Sequence, residues 1–180
     1  MMNYQEVIDF WFNPNTQPYW FAKSDEFDQQ LHNRFSIALE QARQGEFWEW
    51  RKTAEGRLAE IIVLDQFSRN LWRNSPASFA QDPIALVLAQ ESIHLELDQN
   101  LPSEQRAFLY MPFMHSESKL MHEHALQLFE SLGNPINLDF EKQHKRIIDR
   151  FGRYPHRNEI LGRQSTLEEL EFLKQPNSHF

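Results

Sequence analysis

No cysteine occurs among the 180 residues, which removes disulfides, thiolate zinc sites, iron–sulfur clusters and cysteine nucleophiles together. Glycine is scarce: there are five, none spaced as G-x-G-x-x-G, a Walker loop or G-x-S-x-G, so the usual glycine-built phosphate and nucleophile sites are missing. Long apolar runs are absent too. The clearest, residues 108–114, falls far short of the roughly 20 that a membrane span requires. Cationic excess is lacking. The net charge is −8, which argues against a nucleic-acid or anionic-membrane partner. Residues 1–12 carry Glu6 and Asp9 but no Lys or Arg, so there is no secretory n-region and a cytoplasmic protein is expected.

What the chain does contain is helical. Glu, Gln, Ala, Leu and Arg dominate long stretches, and Val/Ile runs with period-2 alternation do not occur. At 41% hydrophobic and 13% aromatic, a chain of this length builds its own core, and one domain over 1–180 is expected. Punctuation by Pro, Gly, Asn and Asp places helices near 3–12, 25–44, 46–50, 54–73, 76–80, 83–99, 103–114, 117–132, 137–151, 156–161 and 166–174. Thr53, Asp82 (followed by Pro83) and Ser103 or Pro102 stand at helix starts. Gly133 and Gly152 stand where left-handed C-terminal residues are wanted, and Ser165 opens a capping box before the last helix. The fold class is all-α. Short connections fit antiparallel helix pairs in a TPR-like or α-solenoid-like stack, although no repeat is readable.

Several polar residues fall on apolar faces at a period of 3.6. In 54–73, Leu58, Ile61, Ile62 and Trp72 form one stripe with Asp65 and Arg69 on its centre line. Val63, Leu64, Phe67 and Leu71 form a second stripe that includes Glu60. A helix apolar on two sides is buried, so Asp65 and Arg69 pair at i,i+4 away from water. In 117–132 the stripe of Met121, Ala125, Leu128 and Leu132 takes in Glu117 and His124; in 137–151 that of Phe140, Ile147, Ile148 and Phe151 takes in His144. Such groups need partners, because an unpaired buried charge costs several kcal/mol.

Residues 144–163 carry +4, from Lys145, Arg146, Arg150, Arg153, Arg157 and Arg163 against Asp149 and Glu159. A glycine stop at Gly152 and an extended Tyr154 before Pro155 lead into a helix start at His156-Arg157-Asn158, where guanidinium forks, an imidazole and free backbone N–H groups suit an anion. The aromatic stretch Phe10, Trp11, Phe12, Tyr19, Trp20 and Phe21 is read as covering for the core, the alternative being an exposed anchor for a partner.

Leu64-Asp65-Gln66-Phe67-Ser68-Arg69-Asn70, Pro112-Phe113-Met114-His115-Ser116-Glu117 and Arg150-Phe151-Gly152-Arg153-Tyr154-Pro155-His156-Arg157-Asn158 with Leu161-Gly162-Arg163 resemble the motifs of a bacterial domain-of-unknown-function family. The N-terminal Val7-Ile8-Asp9-Phe10-Trp11-Phe12 and Trp20-Phe21 resemble it as well. Ser68 stands where that family often has proline, and Tyr154 where phenylalanine is usual. The resemblance spans the chain and implies a TPR-like all-α fold; it supplies no reaction. His122 and His124 lie outside the motifs and carry less weight.

The motif residues contain the parts for acid–base work and for holding an anion. His115 and His156 are the candidate acid and base, with Asp65 and Glu117 to orient them. Arg69, Asn70, Gln66, His144, Arg153, Arg157 and Asn158 are the candidates for binding a small anionic (carboxylate or phosphate) metabolite. No cofactor is implied. A second reading makes the motifs an internal ion-pair network in a scaffold for a protein partner. A third puts a divalent metal on His115, Glu117, His144 and His156, although the spacing matches no metal motif and the nearby arginines oppose a cation.

Overall fold

A computed structural model describes residues 2–180. Its α-helices are α1 (Tyr4–Trp11), α2 (Asp25–Arg43), α3 (Ala54–Ile62), α4 (Ser68–Leu71), α5 (Asp82–His94), α6 (Ser103–Met114), α7 (Lys119–Leu132), α8 (Pro135–Phe151) and α9 (Leu167–Phe172). Among the described residues there is no strand, and the fold is all-α. Among the described residues no helix is long and apolar enough to cross a membrane. Where one domain over 1–180 is expected from the sequence, the chain forms two compact units. The first runs to Arg73 and resumes at Ala77–Pro112; the second is Asn74–Pro76 with Phe113–Phe180.

The first unit is built around residues 54–71. Every residue from 58 to 68 is buried, as two apolar stripes demand: α1 and α5 lie against α3, and α2 lies against α4. The helix is not regular throughout. Val63–Phe67 is a π turn joining α3 to α4, so its backbone bonds skip one residue further than in an α-helix. Asp65 sits inside that turn and is fully buried. The aromatic stretch divides. Phe10 and Trp11 are buried and meet Phe35 and Phe67 at centroid distances of 4.9 and 5.5 Å. Trp20 donates its indole N–H to the Trp11 carbonyl (2.9 Å). Phe21 instead remains 70% exposed.

Other boundaries move for local reasons. The expected 83–99 helix stops after α5 because Glu96 turns left-handed (φ 56°), and a 3₁₀ turn, Leu97–Asn100, follows. Asp82 does not cap α5; it is the helix's first residue and its carboxylate bonds Arg69. Residues 46–50 give way to a 3₁₀ turn at Trp48–Lys52. The last helix is capped by Thr166, one residue after Ser165, with Glu169 closing the box. Gly133 and Gly152 do take left-handed φ values of 75° and 70°, and Thr53 accepts from the Gly56 N–H (3.0 Å).

The Trp48–Lys52 turn presses onto the start of α3. Arg51 grips the buried Glu60 through two bonds of 2.7 and 2.6 Å, and the Arg57 Nε donates to the Arg51 carbonyl (2.7 Å). The Trp50 carbonyl oxygen comes so close to Gly56 that a Cβ there would lie 2.0 Å from it. Backbone cannot yield as a flexible side chain can, so Gly56→Ala should lower stability by about 2–3 kcal/mol, against the usual gain from replacing a helical glycine. Chemical denaturation of the two proteins checks it; an alanine variant as stable as the parent would show that the turn and α3 are not held in this close contact.

Candidate functional site

The candidate residues fall into both units. In the first, Arg69 donates to Asp65 (Oδ1 at 2.9 Å, carbonyl at 2.8 Å) and forks onto Asp82 at 2.8 and 3.0 Å. The i,i+4 pair expected from the sequence is present, with Asp82 as a second carboxylate from α5. Gln66 donates to Asp65 Oδ2 (2.6 Å). Asn70 and Arg73 both donate to Asp28 of α2, at 2.8 Å and at 2.7 and 3.0 Å. Burial alone would raise the Asp28 carboxyl; the bonds from Arg73 and Asn70 outweigh it and hold the group below its ordinary value. Arg69 and Asn70 therefore tie the central helix to α5 and α2, and Gln66 and Asp65 orient Arg69 within it.

The second unit holds the rest. Glu117 lies in the connection before α7, not on the helix expected from 117 onward. It accepts from the Tyr154 N–H (2.7 Å) and from both Arg163 guanidinium nitrogens (2.7 and 2.9 Å). Burial pushes Glu117 up, but the Arg163 and Tyr154 bonds outweigh it and keep the group below the usual carboxylate range. Arg163 Nε reaches Asn158 Oδ1 (2.9 Å), Asn158 reaches Glu169 (3.3 Å), and Glu169 takes a fork from Arg153 at 2.7 and 2.8 Å. Arg157 is 7% exposed, donates to the His115 carbonyl (3.0 Å) and lies 4.6 Å over the Tyr154 ring.

The guanidinium groups of Arg150, Arg153, Arg157 and Arg163 face carboxylates, carbonyls and rings of their own unit, and the helix start at His156 is a three-residue 3₁₀ turn, Pro155–Arg157, too short to develop a dipole. The metal reading also loses its ligands. Both Glu117 oxygens are engaged, the His144 Nδ1 donates to the Phe140 carbonyl (2.7 Å), and among the described residues no group of three His, Asp or Glu is arranged to hold a metal.

The inward face of α7 differs from the expected one by one position, while α8 buries His144, Ile147 and Ile148 as expected. His124 is exposed, whereas His122, Ala125 and Phe129 are buried. On α8, Glu141 joins His144 and Ile148 inside, and Phe140 is 41% exposed. His122 places Nδ1 2.8 Å from Glu141 Oε1 and Nε2 2.8 Å from the Ser116 carbonyl. A carbonyl can only accept, so Nε2 carries a proton and the remaining proton lies between Nδ1 and the carboxyl. Burial pushes Glu141 up, with His122 opposing. Tyr154 donates its hydroxyl to the Met114 carbonyl (2.5 Å) and lies 3.2 Å from His122 Nε2. Burial, with the neighbouring imidazoles of His115, His122 and His156 adding to it, pushes His144 down to about 3; it is neutral at physiological pH.

His156 is half-buried and opens onto a cleft of about 420 Å³, lined by the apolar Pro155, Leu170 and Leu173 and by the polar His179 and Ser165. Glu159 and Arg163 complete it. Sequence reasoning missed His122, Glu141, Glu169, Arg163 and His179 as members of these clusters. Glu141 had a signal, lying three residues before His144 on the same face; Glu169 had one as the third residue of a capping box.

Glu169 is held at about 2 by Arg153, despite its burial. A carboxyl held below its usual value stabilises the fold above that value and ceases to as pH falls through the folded one, here from 4.5 to about 2. Glu169→Gln should lower stability at neutral pH by about 2 kcal/mol and flatten the fall of Tm in that acid window. Thermal unfolding from pH 6 to 2 measures it; an unchanged slope would exclude Glu169 from the acid-sensitive contacts.

No curated protein matches the chain. A solved structure of a protein of unknown function from Agrobacterium tumefaciens is similar to it, at 37% identity and a TM-score of 0.89, over 95% of this chain and 96% of that one. Residues 7–177 match the family described as bacterial protein of unknown function, DUF924, and the chain belongs to that family.

Proposed function

We propose that the second unit binds a small molecule with an apolar body and an amine head in the cleft beside His156. The observation that carries this reading is the division of the cleft's lining, apolar at Pro155, Leu170 and Leu173 and polar at His156, His179 and Ser165. Small-molecule sites combine a mostly apolar wall with a few polar groups that orient the ligand. The His156 and His179 rings are 6.2 Å apart, near enough for one head group to reach both.

The head is assigned by what each polar group has left to offer. Arg163 is neutralised by Glu117 and also bonds Asn158 and the Tyr154 carbonyl, so its charge does not call for a further anion. Glu159 lines the same cleft and makes no ion pair among the described residues. Its carboxylate is an acceptor on the cleft's lining, and an ammonium presents three donors. This replaces the anionic metabolite expected from the sequence, because that expectation needed free guanidinium groups. The imidazoles are also the groups that would exchange a proton with a bound head.

Three six-carbon probes with different heads test the reading: hexylamine, hexanol and hexanoate, each titrated at pH 8 while the ring C–H signals of His156 and His179 are followed by NMR. Hexylamine should shift both signals saturably, with a Kd on the order of 1 mM for a fragment of this size, and bind at least fivefold tighter than hexanoate. Glu159→Gln should remove most of that preference. Tighter binding of hexanoate would overturn the amine assignment, and no saturable shift with any probe would overturn the cleft as a binding site.

A further inference from the structure

Beside the cleft, residues 177–180 fold back over the histidines of α8 and the 155–157 turn. Asn177 takes a left-handed φ of 60°, a conformation asparagine tolerates better than most residues, and this reverses the chain. Ser178 is fully buried; its hydroxyl donates to the Leu173 carbonyl (3.1 Å) and accepts from His179 Nδ1 (2.8 Å). His179 thereby faces the cleft. Phe180 lies on the His144 ring, with centroids 3.9 Å apart and planes tilted by 31°, and its ring is 6.3 Å from that of His156.

The seat under Phe180 is made of rings. Tyr154 stands 5.7 Å from His144 and 5.6 Å from His156, so three ring systems wall the space that the phenyl group enters. The seat is well covered and the plug is not: His144 is 6% exposed, Phe180 47%. A ring that buries only half of its surface gains about half of the hydrophobic stabilisation open to it. Replacing it with another planar ring breaks no polar contact, since Phe180 contributes only ring contacts there. His144 stays neutral and so presents an uncharged face for stacking. The segment's one side-chain bond to the rest of the unit, at Ser178, lies two residues back from the plug.

We infer that residues 177–180 are a strap whose Phe180 ring occupies a ring-binding subsite walled by His144, Tyr154 and His156, and that an aromatic ring on the ligand takes this seat when the strap lifts. The inference rests on the proposed cleft for its biological sense, since His156 and His179 border both. The ligand class narrows accordingly to an aryl-bearing amine, its ring on His144 and its head toward Glu159 and His179.

Indole, planar and uncharged, is the probe for the seat, and two substitutions push in opposite directions. Phe180→Ala empties the seat and should tighten indole binding at least fivefold, with ring-current shifts at His144. Phe180→Trp fills it further and should weaken indole binding below that of the parent. A merely structural role would weaken binding in both. Equal indole affinity in parent and alanine variant, or no shift at His144, would overturn the strap. Should the alanine variant fail to fold, saturating indole on the parent must displace the Phe180 ring signals; unmoved signals would overturn the inference as well. Hexylamine reports the cleft separately. Hexylamine binding without the indole effect removes the strap and leaves the cleft, and the converse leaves the ring seat and removes the cleft.

Discussion

A carboxylate taken out of water needs a partner beside it, and for several in this protein that partner is an arginine whose planar fork covers both oxygens. Glu60 meets Arg51, Glu117 meets Arg163 and Glu169 meets Arg153, each through two guanidinium bonds. Asp65 shares Arg69 with Asp82. Removing one member of such a pair strands the other in a place where it cannot be hydrated, which is the costly event, whereas the intact pair contributes little net stability. The constraint is therefore one of position more than of energy. Each fork lets only one packing of its two segments leave both charges satisfied, which ties Glu117 to a residue 46 places away and Glu169 to one 16 places away. Residues that pair in this way are the ones that make the sequence motifs look functional.

What could be read from the chain follows from how local each signal is. The all-α class, most helix positions and the pairing of Asp65 with Arg69 come from periodicity and spacing within one helix, and the structure has them. The π turn at Val63–Phe67 leaves no such mark, because it is chosen by what packs around residues 63–67 rather than by their own preferences. His144 was legible as an inward residue, but α7 was read one position off. Taking Met121, Ala125 and Leu128 as its stripe, rather than His122, Ala125 and Phe129, turned His124 inward in place of His122. The net charge of residues 144–163 misled in a different way. It counts neighbours along the chain, and Arg153 and Arg163 take their carboxylates from residues 169 and 117, outside that window. The family was legible because its motifs are long, and long motifs survive such errors of facing.

Within the second unit the histidines divide by what surrounds them. His122 is a clasp: both its nitrogens meet fixed partners, the Glu141 carboxyl and the Ser116 carbonyl, so the ring cannot turn without leaving a buried group unsatisfied. The unpartnered second oxygen of Glu141 favours the form in which the shared proton rests on the carboxyl, because a neutral acid loses less than a carboxylate when it is denied a donor. His144 is tied through one nitrogen to its own helix and is too deeply buried to charge. Neither ring is placed to trade protons with solvent.

His156 and His179 differ from these in facing open volume, and the contrast separates frame from face. A frame is recognised by mutual neutralisation: Arg163 and Arg153 each fork onto a carboxylate of the same unit and bond a carbonyl of that unit as well. Charges paired in this way leave a ligand less to strengthen, and differential interaction is the only means by which binding or catalysis acts. A face needs groups whose hydrogen bonds are directed toward the cavity by a rigid surround. The Glu117–Arg163–Asn158–Glu169–Arg153 chain is that surround, since it fixes the backbone at Tyr154 and Asn158 on either side of His156. The arginines in the motif thus hold the cleft's wall in place, and under the proposed reading the groups left to meet a bound molecule are the imidazoles and the Glu159 carboxylate on that wall.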